Sequence, residues 1–231
     1  MNPRVGILVF ARYDSSRLPG KALRPVGGMT LIERVIRRAQ LGRLPVFLAT
    51  TDLPSDDALV ALAETLGVQS FRGSSDRVLE RAVFAAETFG LDAFVRLCGD
   101  RPLFPLDDLR DAVSVLHTES GADDGSPPDL ITTYVPDITP RGLTTELIRT
   151  ATLRAILERE PTADEQEHVT PRFYGHPEGF RIVRLSATTI GYACPGFAVD
   201  TEADLHRLNG VFAVCDAIDL TPAEADRIYR G

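Results

Sequence analysis

Residues 5–23, Val5 to Leu23, read VGILVFARYDSSRLPGKAL, and the rest of the chain is interpreted outward from them. Val5, Ile7, Leu8, Val9 and Phe10 make an almost unbroken apolar run, the pattern of a short strand buried on both faces. The run stops at a loop that carries Arg12, Arg17 and Lys21, with Ser15, Ser16 and Gly20 between the cations and Pro19-Gly20 imposing a turn. Guanidinium groups fork onto phosphate oxygens, and a lysine supplies a compact charge for a terminal phosphate. A solvated basic surface loop has the same composition. Placement directly after a buried strand favours an anion site, because ligands of open α/β sheets sit beyond the carboxyl ends of the strands.

Beyond this stretch, strand and helix signals alternate. Thr30-Leu31-Ile32-Glu33 has capping-box spacing and opens a helix with Leu31, Ile32, Val35, Ile36 and Ala39 on one face. Pro45–Thr50 and Val68–Arg72 read as strands. Ser55 is expected to cap a helix that ends at Gly67, and Asp76 one that ends at Gly90. Ala93–Leu97 is a fourth strand, running into Cys98-Gly99-Asp100-Arg101-Pro102, and Leu109, Ala112, Val113 and Leu116 mark the next helix. In the second half, Leu130–Val135, Leu143–Ile148 and Phe180–Leu185 read as strands. Thr152–Leu157, Asp164–Tyr174, a segment starting at Asp200 and Pro222–Tyr229 read as helices.

This alternation predicts an α/β fold in three layers, a mostly parallel sheet with helices on both faces and a small antiparallel extension in the second half. We expect a single domain over residues 1–231, with a nucleotide-binding half over 1–120 and an acceptor and oligomerisation half over 129–231. Gly121–Pro128, GADDGSPP, is the expected flexible junction.

Composition narrows the partners. A net charge of −8 argues against nucleic-acid or anionic-membrane surfaces, so cations gathered in one loop point to a local anion site. The N-terminal apolar run lacks a signal-peptide pattern, and no apolar stretch reaches the roughly twenty residues that span a bilayer. Three widely spaced cysteines, Cys98, Cys194 and Cys215, fit reduced thiols better than a disulfide framework, and the expectation is a cytoplasmic protein.

Two familiar phosphate fingerprints are excluded. Ala22 follows Gly20-Lys21 and Ser15 stands where a Walker loop has its first glycine. The turn after the first strand also lacks Gly-x-Gly-x-x-Gly. Asp100, behind a glycine at a strand end and stiffened by Pro102, suits a hard divalent cation, which takes one or two protein carboxylates and completes its shell with waters and phosphates. A turn or cap aspartate is the other reading. Asp200 is the candidate partner ligand, and Asp before Thr-Glu is equally an ordinary helix cap. His168 reads as a helix histidine or as a substrate contact. No zinc spacing and no Gly-x-Ser-x-Gly elbow occur.

Taken together, Phe10-Ala11-Arg12, Ser15-Ser16-Arg17-Leu18-Pro19-Gly20-Lys21, Phe71-Arg72-Gly73-Ser74, Asp76, Val78-Leu79-Glu80-Arg81, Gly99-Asp100, Pro102-Leu103, Gly142-Leu143, Glu146, Glu167-His168-Val169-Thr170-Pro171 and Val199-Asp200 resemble, in order, the motifs of the sugar-acid cytidylyltransferases. These are the CMP-KDO and CMP-acylneuraminate synthetases and the related spore-coat polysaccharide group. The resemblance implies a nucleotide-diphospho-sugar-transferase fold, CTP, Mg²⁺, a homodimer, and transfer of CMP to a nonulosonate- or KDO-like sugar acid with release of pyrophosphate, in surface polysaccharide synthesis. By the same resemblance Ala11, Arg12, Ser16, Arg17 and Lys21 line the triphosphate, with Gly20 and Gly99 in the nucleotide set and Arg12, Arg17 and Lys21 stabilising the departing pyrophosphate. Arg72, Gly73, Ser74 and Asp76 lie near base and ribose, and Asp100 and Asp200 hold the metal. The chain departs from the pattern at Phe10, at Arg101, and at Arg141-Gly142-Leu143-Thr144, where acidic residues are usual. Arg101 and Arg141 are therefore candidates to pair with an acidic acceptor, beside Glu146 and His168. Another nucleotide or acceptor, and a protein that binds nucleotide without turning it over, stay open at this level.

Overall fold

Successive residues of the first strand, β1 (Val5–Phe10), enter two different cores. Val5, Ile7 and Val9 face one, and Leu8 and Phe10 face the other. A strand with this pattern must be covered by helices on both sides. The computed structural model describes residues 2–119, 126–186 and 191–231. After β1 come a short hairpin of β2 (Pro25–Val26) and β3 (Met29–Thr30), then α1 (Leu31–Gln40), β4 (Val46–Thr51), α2 (Asp57–Thr65), β5 (Gln69–Gly73), α3 (Val78–Thr88), β6 (Ala93–Cys98) and α4 (Leu106–Glu119). The second half supplies β7 (Leu130–Thr132), β8 (Glu146–Arg149), α5 (Thr150–Leu157), α6 (Ala163–His168), α7 (Pro171–Gly175), β9 (Ile182–Arg184), α8 (Glu202–Val214) and α9 (Pro222–Arg230).

Among the described residues the main sheet has seven strands in the order β5-β4-β1-β6-β8-β7-β9. β1 lies parallel to both β4 and β6, with Phe10 opposite Ala49 and Cys98, so the loops after all three strands open on one edge. β8 runs antiparallel to its neighbours β6 and β7. The antiparallel element of the second half is thus one reversed strand inside the main sheet, because the chain returns to β6 by a loop rather than by a crossover helix. The separate antiparallel pair, β2 with β3, lies in the first half. α1, α2 and α4 cover one face and α3, α5 and α7 the other.

A third core gathers Leu18, Leu103, Leu143, Phe197 and Val199 with the inner faces of α8 and α9, beyond the carboxyl edge of the sheet. Arg38 ties α1 to this region. Its buried guanidinium donates to the carbonyls of Phe104 at 2.9 Å, Ile218 at 2.8 Å and Leu220 at 2.9 Å. No helix among the described residues is long and apolar enough to cross a membrane.

Local expectations held where caps are simple and shifted where side chains are committed elsewhere. The Thr30 hydroxyl accepts from the Glu33 amide as expected, and Gly67 and Gly90 follow α2 and α3 with positive φ. Ser55 sits in a 3₁₀ turn (Pro54–Asp56) rather than capping α2. α3 starts at Val78, and the Ser74 hydroxyl, rather than Asp76, accepts from the amides of Asp76 and Arg77. The single helix expected over Asp164–Tyr174 is two, because Val169 takes φ 64° and Pro171 cannot continue the hydrogen-bond ladder. β7 ends at Thr132 and β8 begins at Glu146, so both strands are shorter than expected. Residues 121–125 of the expected junction lie outside the described residues.

Candidate active site

The loop after β1 is held from below by one carboxylate. Asp56 accepts the Tyr13 amide at 2.7 Å, the Thr51 amide at 2.9 Å and the Thr50 hydroxyl at 2.8 Å, joining the ends of β1 and β4. Burial pushes the Asp56 pKa up, but these donors together hold it below the usual carboxylate range. The sign follows: Asp56 contributes stability that is present above its unfolded value near pH 4 and is lost as pH falls through the lower folded value. Asp56→Asn is expected to lower stability at pH 7 by about 2 kcal/mol and to flatten the acid limb of the stability curve, checked by denaturant melts between about pH 2 and 7. An unchanged acid limb would discharge Asp56 from this role.

Gly20, at φ 69°, turns the loop under the Tyr13 ring and donates its amide to the Tyr13 carbonyl at 2.9 Å, after which Lys21 begins a 3₁₀ turn (Lys21–Leu23). At the neighbouring strand end, Gly99 donates to the Phe10 carbonyl at 2.7 Å. A Cβ on Gly99 would stand 2.9 Å from Ala11 and Ile32. This close approach sets Asp100 beside the loop.

The third component arrives from far along the chain. The Val199 amide donates to the Asp100 carbonyl at 2.9 Å, and Asp204, in a capping box with Thr201, accepts the Asp200 amide at 3.0 Å. Burial works against ionisation of Asp204, but Arg207 and these donors hold its pKa down to about 2, so the clamp on Asp200 persists into acid.

The three segments meet at Lys21. Its ammonium donates to Asp100 Oδ2 at 2.7 Å, Asp200 Oδ1 at 3.0 Å and the Val199 carbonyl at 2.9 Å. Arg17 reaches Asp200 Oδ1 at 3.0 Å, and Arg141 pairs with the other oxygen. Burial acts to lower the Lys21 pKa, but the two carboxylates outweigh it and hold the ammonium above the usual lysine value. Burial acts to raise Asp200, and Lys21, Arg17 and Arg141 hold it below the usual aspartate value. Both groups are charged at neutral pH.

The cluster forms part of the wall of an open cavity of about 560 Å³. Of the residues singled out in the sequence, Ala11, Arg12, Ser16, Arg17, Lys21, Gly99, Asp100, Arg101, Arg141, His168 and Asp200 line it. Gly20 lies in the turn below. Arg72, Gly73, Ser74 and Asp76 are absent from the wall. Arg72 is spent on the Thr51 carbonyl at 2.9 Å, the Leu53 carbonyl at 2.7 Å and Asp57 at 2.6 Å, stapling β5 to the start of α2. Glu146 stands behind the wall, salt-bridged to Arg96 at 2.7 Å and accepting from the Tyr174 hydroxyl at 2.8 Å. Arg101 points back to the Thr144 carbonyl at 3.3 Å.

Among the charged and aromatic lining residues, Arg96 and Tyr134 were not singled out in the sequence, and Arg81 was, but only as part of a motif and with no role. Two had a signal: Arg96 interrupts the apolar β6 run, and Arg81 occurs among the inward positions of α3. The cavity is cationic, with Arg12, Arg17, Lys21, Arg81, Arg96, Arg101 and Arg141 facing Asp100, Glu167 and Asp200. Such a surface suits a multiply charged anion.

The chain is similar to several known proteins. The spore coat polysaccharide biosynthesis protein SpsF of Bacillus subtilis is 31% identical over 214 residues, covering 89% of this chain and 85% of that protein. A 3-deoxy-manno-octulosonate cytidylyltransferase of Stenotrophomonas maltophilia is 39% identical over 114 residues, 48% of this chain and 44% of the relative. Among solved structures, a cytidylyltransferase from Leptospira borgpetersenii superposes with a TM-score of 0.90 at 25% identity, covering 99% of this chain and 94% of its own. A CMP:2-keto-3-deoxy-manno-octonic acid synthetase complexed with CTP shares the fold at a TM-score of 0.68 and 19% identity, over 91% of this chain and 99% of that one. Residues 6–202, which contain Lys21, Asp100 and Asp200, match the model of the Cytidylyltransferase family, and the chain belongs to that family of nucleotidyltransferase enzymes.

Proposed function

We propose that this enzyme transfers CMP from CTP to the hydroxyl of a sugar acid and releases pyrophosphate, supplying an activated sugar for surface polysaccharide. The observation that carries the reading is the convergence of Lys21, Asp100 and Asp200 from three distant segments onto one point of a cationic cavity. The relatives' names, a spore coat polysaccharide biosynthesis protein and a sugar-acid cytidylyltransferase, support the acceptor class.

The donor set suits Mg²⁺. Asp100 and Asp200 offer hard carboxylate oxygens on either side of one ammonium nitrogen, a point the protein already fills with positive charge. Among the described residues no group of three or more His, Cys, Asp or Glu gathers to hold a metal, so waters and substrate phosphates would have to complete the ion's shell. Bound there, Mg²⁺ would neutralise charge on the reacting phosphate. The chain's own part is positioning and charge: Arg12 and Arg17 hold phosphate oxygens by forked hydrogen bonds, and Lys21 meets the charge that develops on pyrophosphate as it leaves. Arg141 is half-exposed at the cavity mouth and reaches an acceptor carboxylate on leaving Asp200.

The test is pyrophosphate release from a panel of nucleoside triphosphates with Mg²⁺ and keto-sugar acids. We expect turnover with CTP and an acidic acceptor. Equal turnover with all four triphosphates, or none with any acid, would overturn the reading.

A further inference from the structure

Arg81 lies on α3, and its residue is 4% exposed, yet it lines the cavity. A buried guanidinium is ordinarily paired with a carboxylate, because removing the charge from water is expensive. Arg38 and Arg34, also buried, show two ways this chain meets that cost. Arg38 satisfies three carbonyls, and Arg34 pairs with Asp216. Arg81 does neither. Among the described residues it has no ion-pair partner, its Nη1 donates to the Ser74 carbonyl at 2.6 Å, and its Nε has no hydrogen-bond partner. Its stem packs over Gly73, where a Cβ would lie 3.3 Å from the Arg81 Cγ, so the side chain is seated rather than loose. The charges that act on it are of both signs: the Arg12 cation, and the Asp56 and Asp52 carboxylates, neither of which forms an ion pair with it among the described residues. Burial, and then the Arg12 cation, push the Arg81 pKa down to about 10. Arg12 lines the same cavity, donating to the Ser75 carbonyl at 3.4 Å one residue beyond the Arg81 contact.

Two cations held together by backbone carbonyls, one of them buried with free donor capacity, form an anion cradle that the protein's own carboxylates leave unfilled. We infer that Arg81 is a phosphate-binding residue which, with Arg12, takes an oxygen of the nucleotide's phosphate chain. This deepens the proposed cytidylyl transfer and rests on it. The cradle is separate from the Lys21, Asp100 and Asp200 cluster, so the triphosphate would be gripped from two walls of the cavity. Arg81 contacts the ligand and is thus a binding residue; Asp56 and Asp52 act on its charge from a distance, and the anion would be its first direct partner of opposite charge among the described residues.

The prediction that separates this role from a structural one is the sign of the stability change. Arg81→Met removes a buried cation that no carboxylate pairs directly among the described residues and keeps the stem, so the free protein is expected to melt at the same temperature or a few degrees higher. Its affinity for CTP is expected to drop about tenfold to thirtyfold, while its affinity for cytidine stays unchanged. Arg81→Lys, which keeps the charge and loses the fork, is expected to fall between. The measurements are thermal melts without ligand and calorimetric titrations with CTP, cytidine and inorganic tripolyphosphate. A lower melting temperature with unchanged CTP affinity in Arg81→Met would make Arg81 a structural strut and overturn the inference. Equal weakening of cytidine and CTP would overturn it too, by placing Arg81 on the nucleoside. Should Arg81→Met fail to fold, the strut role stands unless Arg81→Lys folds and weakens CTP and tripolyphosphate but not cytidine. Wild-type protein that binds tripolyphosphate and loses it in Arg81→Met, but has no preference for CTP over other triphosphates, would leave the cradle in place and remove cytidylyl transfer.

Discussion

Lys21→Ala lowers the rate of pyrophosphate release by about a hundredfold to a thousandfold, the range seen when one preorganised charge is removed from a transition state. The ammonium occupies the point where the loop after β1, the end of β6 and the segment before α8 come together, and its side chain is only 15% exposed. A charge in that setting is screened little by water, so its field on a departing pyrophosphate is strong. The same substitution leaves Asp100 and Asp200 facing each other without their shared donor, and the Val199 carbonyl loses its partner. Stability therefore falls as well, by a few kcal/mol on the scale of a broken buried pair. Lys21→Arg separates the two effects. It keeps a cation between the carboxylates and restores the melting temperature, but a guanidinium cannot occupy the point position of an ammonium, and turnover recovers only in part. Initial rates at saturating CTP, set beside thermal melts, check both. Turnover within threefold of wild type in a folded Lys21→Ala protein would remove Lys21 from the chemistry and leave it a strut between segments.

The part of this site that could be read in the sequence is the part carried by local pattern. A both-face-buried strand followed by small residues and spaced cations determines where the loop after β1 must lie, and a glycine-aspartate pair after another such strand puts Asp100 on the same edge. Alternation of strands with amphipathic helices was enough for the layers, because burial on two faces leaves few other arrangements. What pattern does not carry is the choice each side chain makes among partners. Arg72 sits in a motif that resembles a nucleotide contact, yet it is satisfied by two carbonyls and by Asp57, all in the segment from the end of β4 to the start of α2. Glu146 is consumed by Arg96 and Tyr174, and burial acts to raise its pKa while Arg96 and Arg101 hold it low. Arg81 stands in a motif of the resemblance without a role of its own, and its burial with no directly paired carboxylate among the described residues sets it apart. An antiparallel element in the second half was expected, but its place between β6 and β7 was not, because the four residues of β8 show the same apolar pattern in either direction.

Asp200→Asn separates binding from turnover in opposite directions. In the protein as it stands, the Asp200 carboxylate is shared by Lys21, Arg17 and Arg141, while among the described residues Asp100 is held by Lys21 alone. An asparagine has one acceptor oxygen, and its amide turns donor hydrogens toward three cations that are donors themselves. Arg17 and Arg141 are then released to the cavity, and their charge becomes available to phosphate. CTP measured without Mg²⁺ is therefore expected to bind severalfold more tightly to Asp200→Asn than to wild type, because a competing internal anion has gone. Turnover moves the other way, down by about a hundredfold, and the Mg²⁺ concentration for half-maximal rate rises by about tenfold or more, as one of two hard ligands is lost. Asp100→Asn shares the losses in turnover and Mg²⁺ response but not the gain in metal-free CTP affinity, since it frees no arginine. Calorimetry with and without Mg²⁺, beside initial rates over a Mg²⁺ series, reads all three quantities. Identical behaviour of the two variants in metal-free CTP binding would mean that Arg17 and Arg141 are not held in reserve by Asp200. The carboxylate would then act as a metal ligand and nothing more, and the triphosphate would owe its hold to Arg12, Lys21 and Arg81.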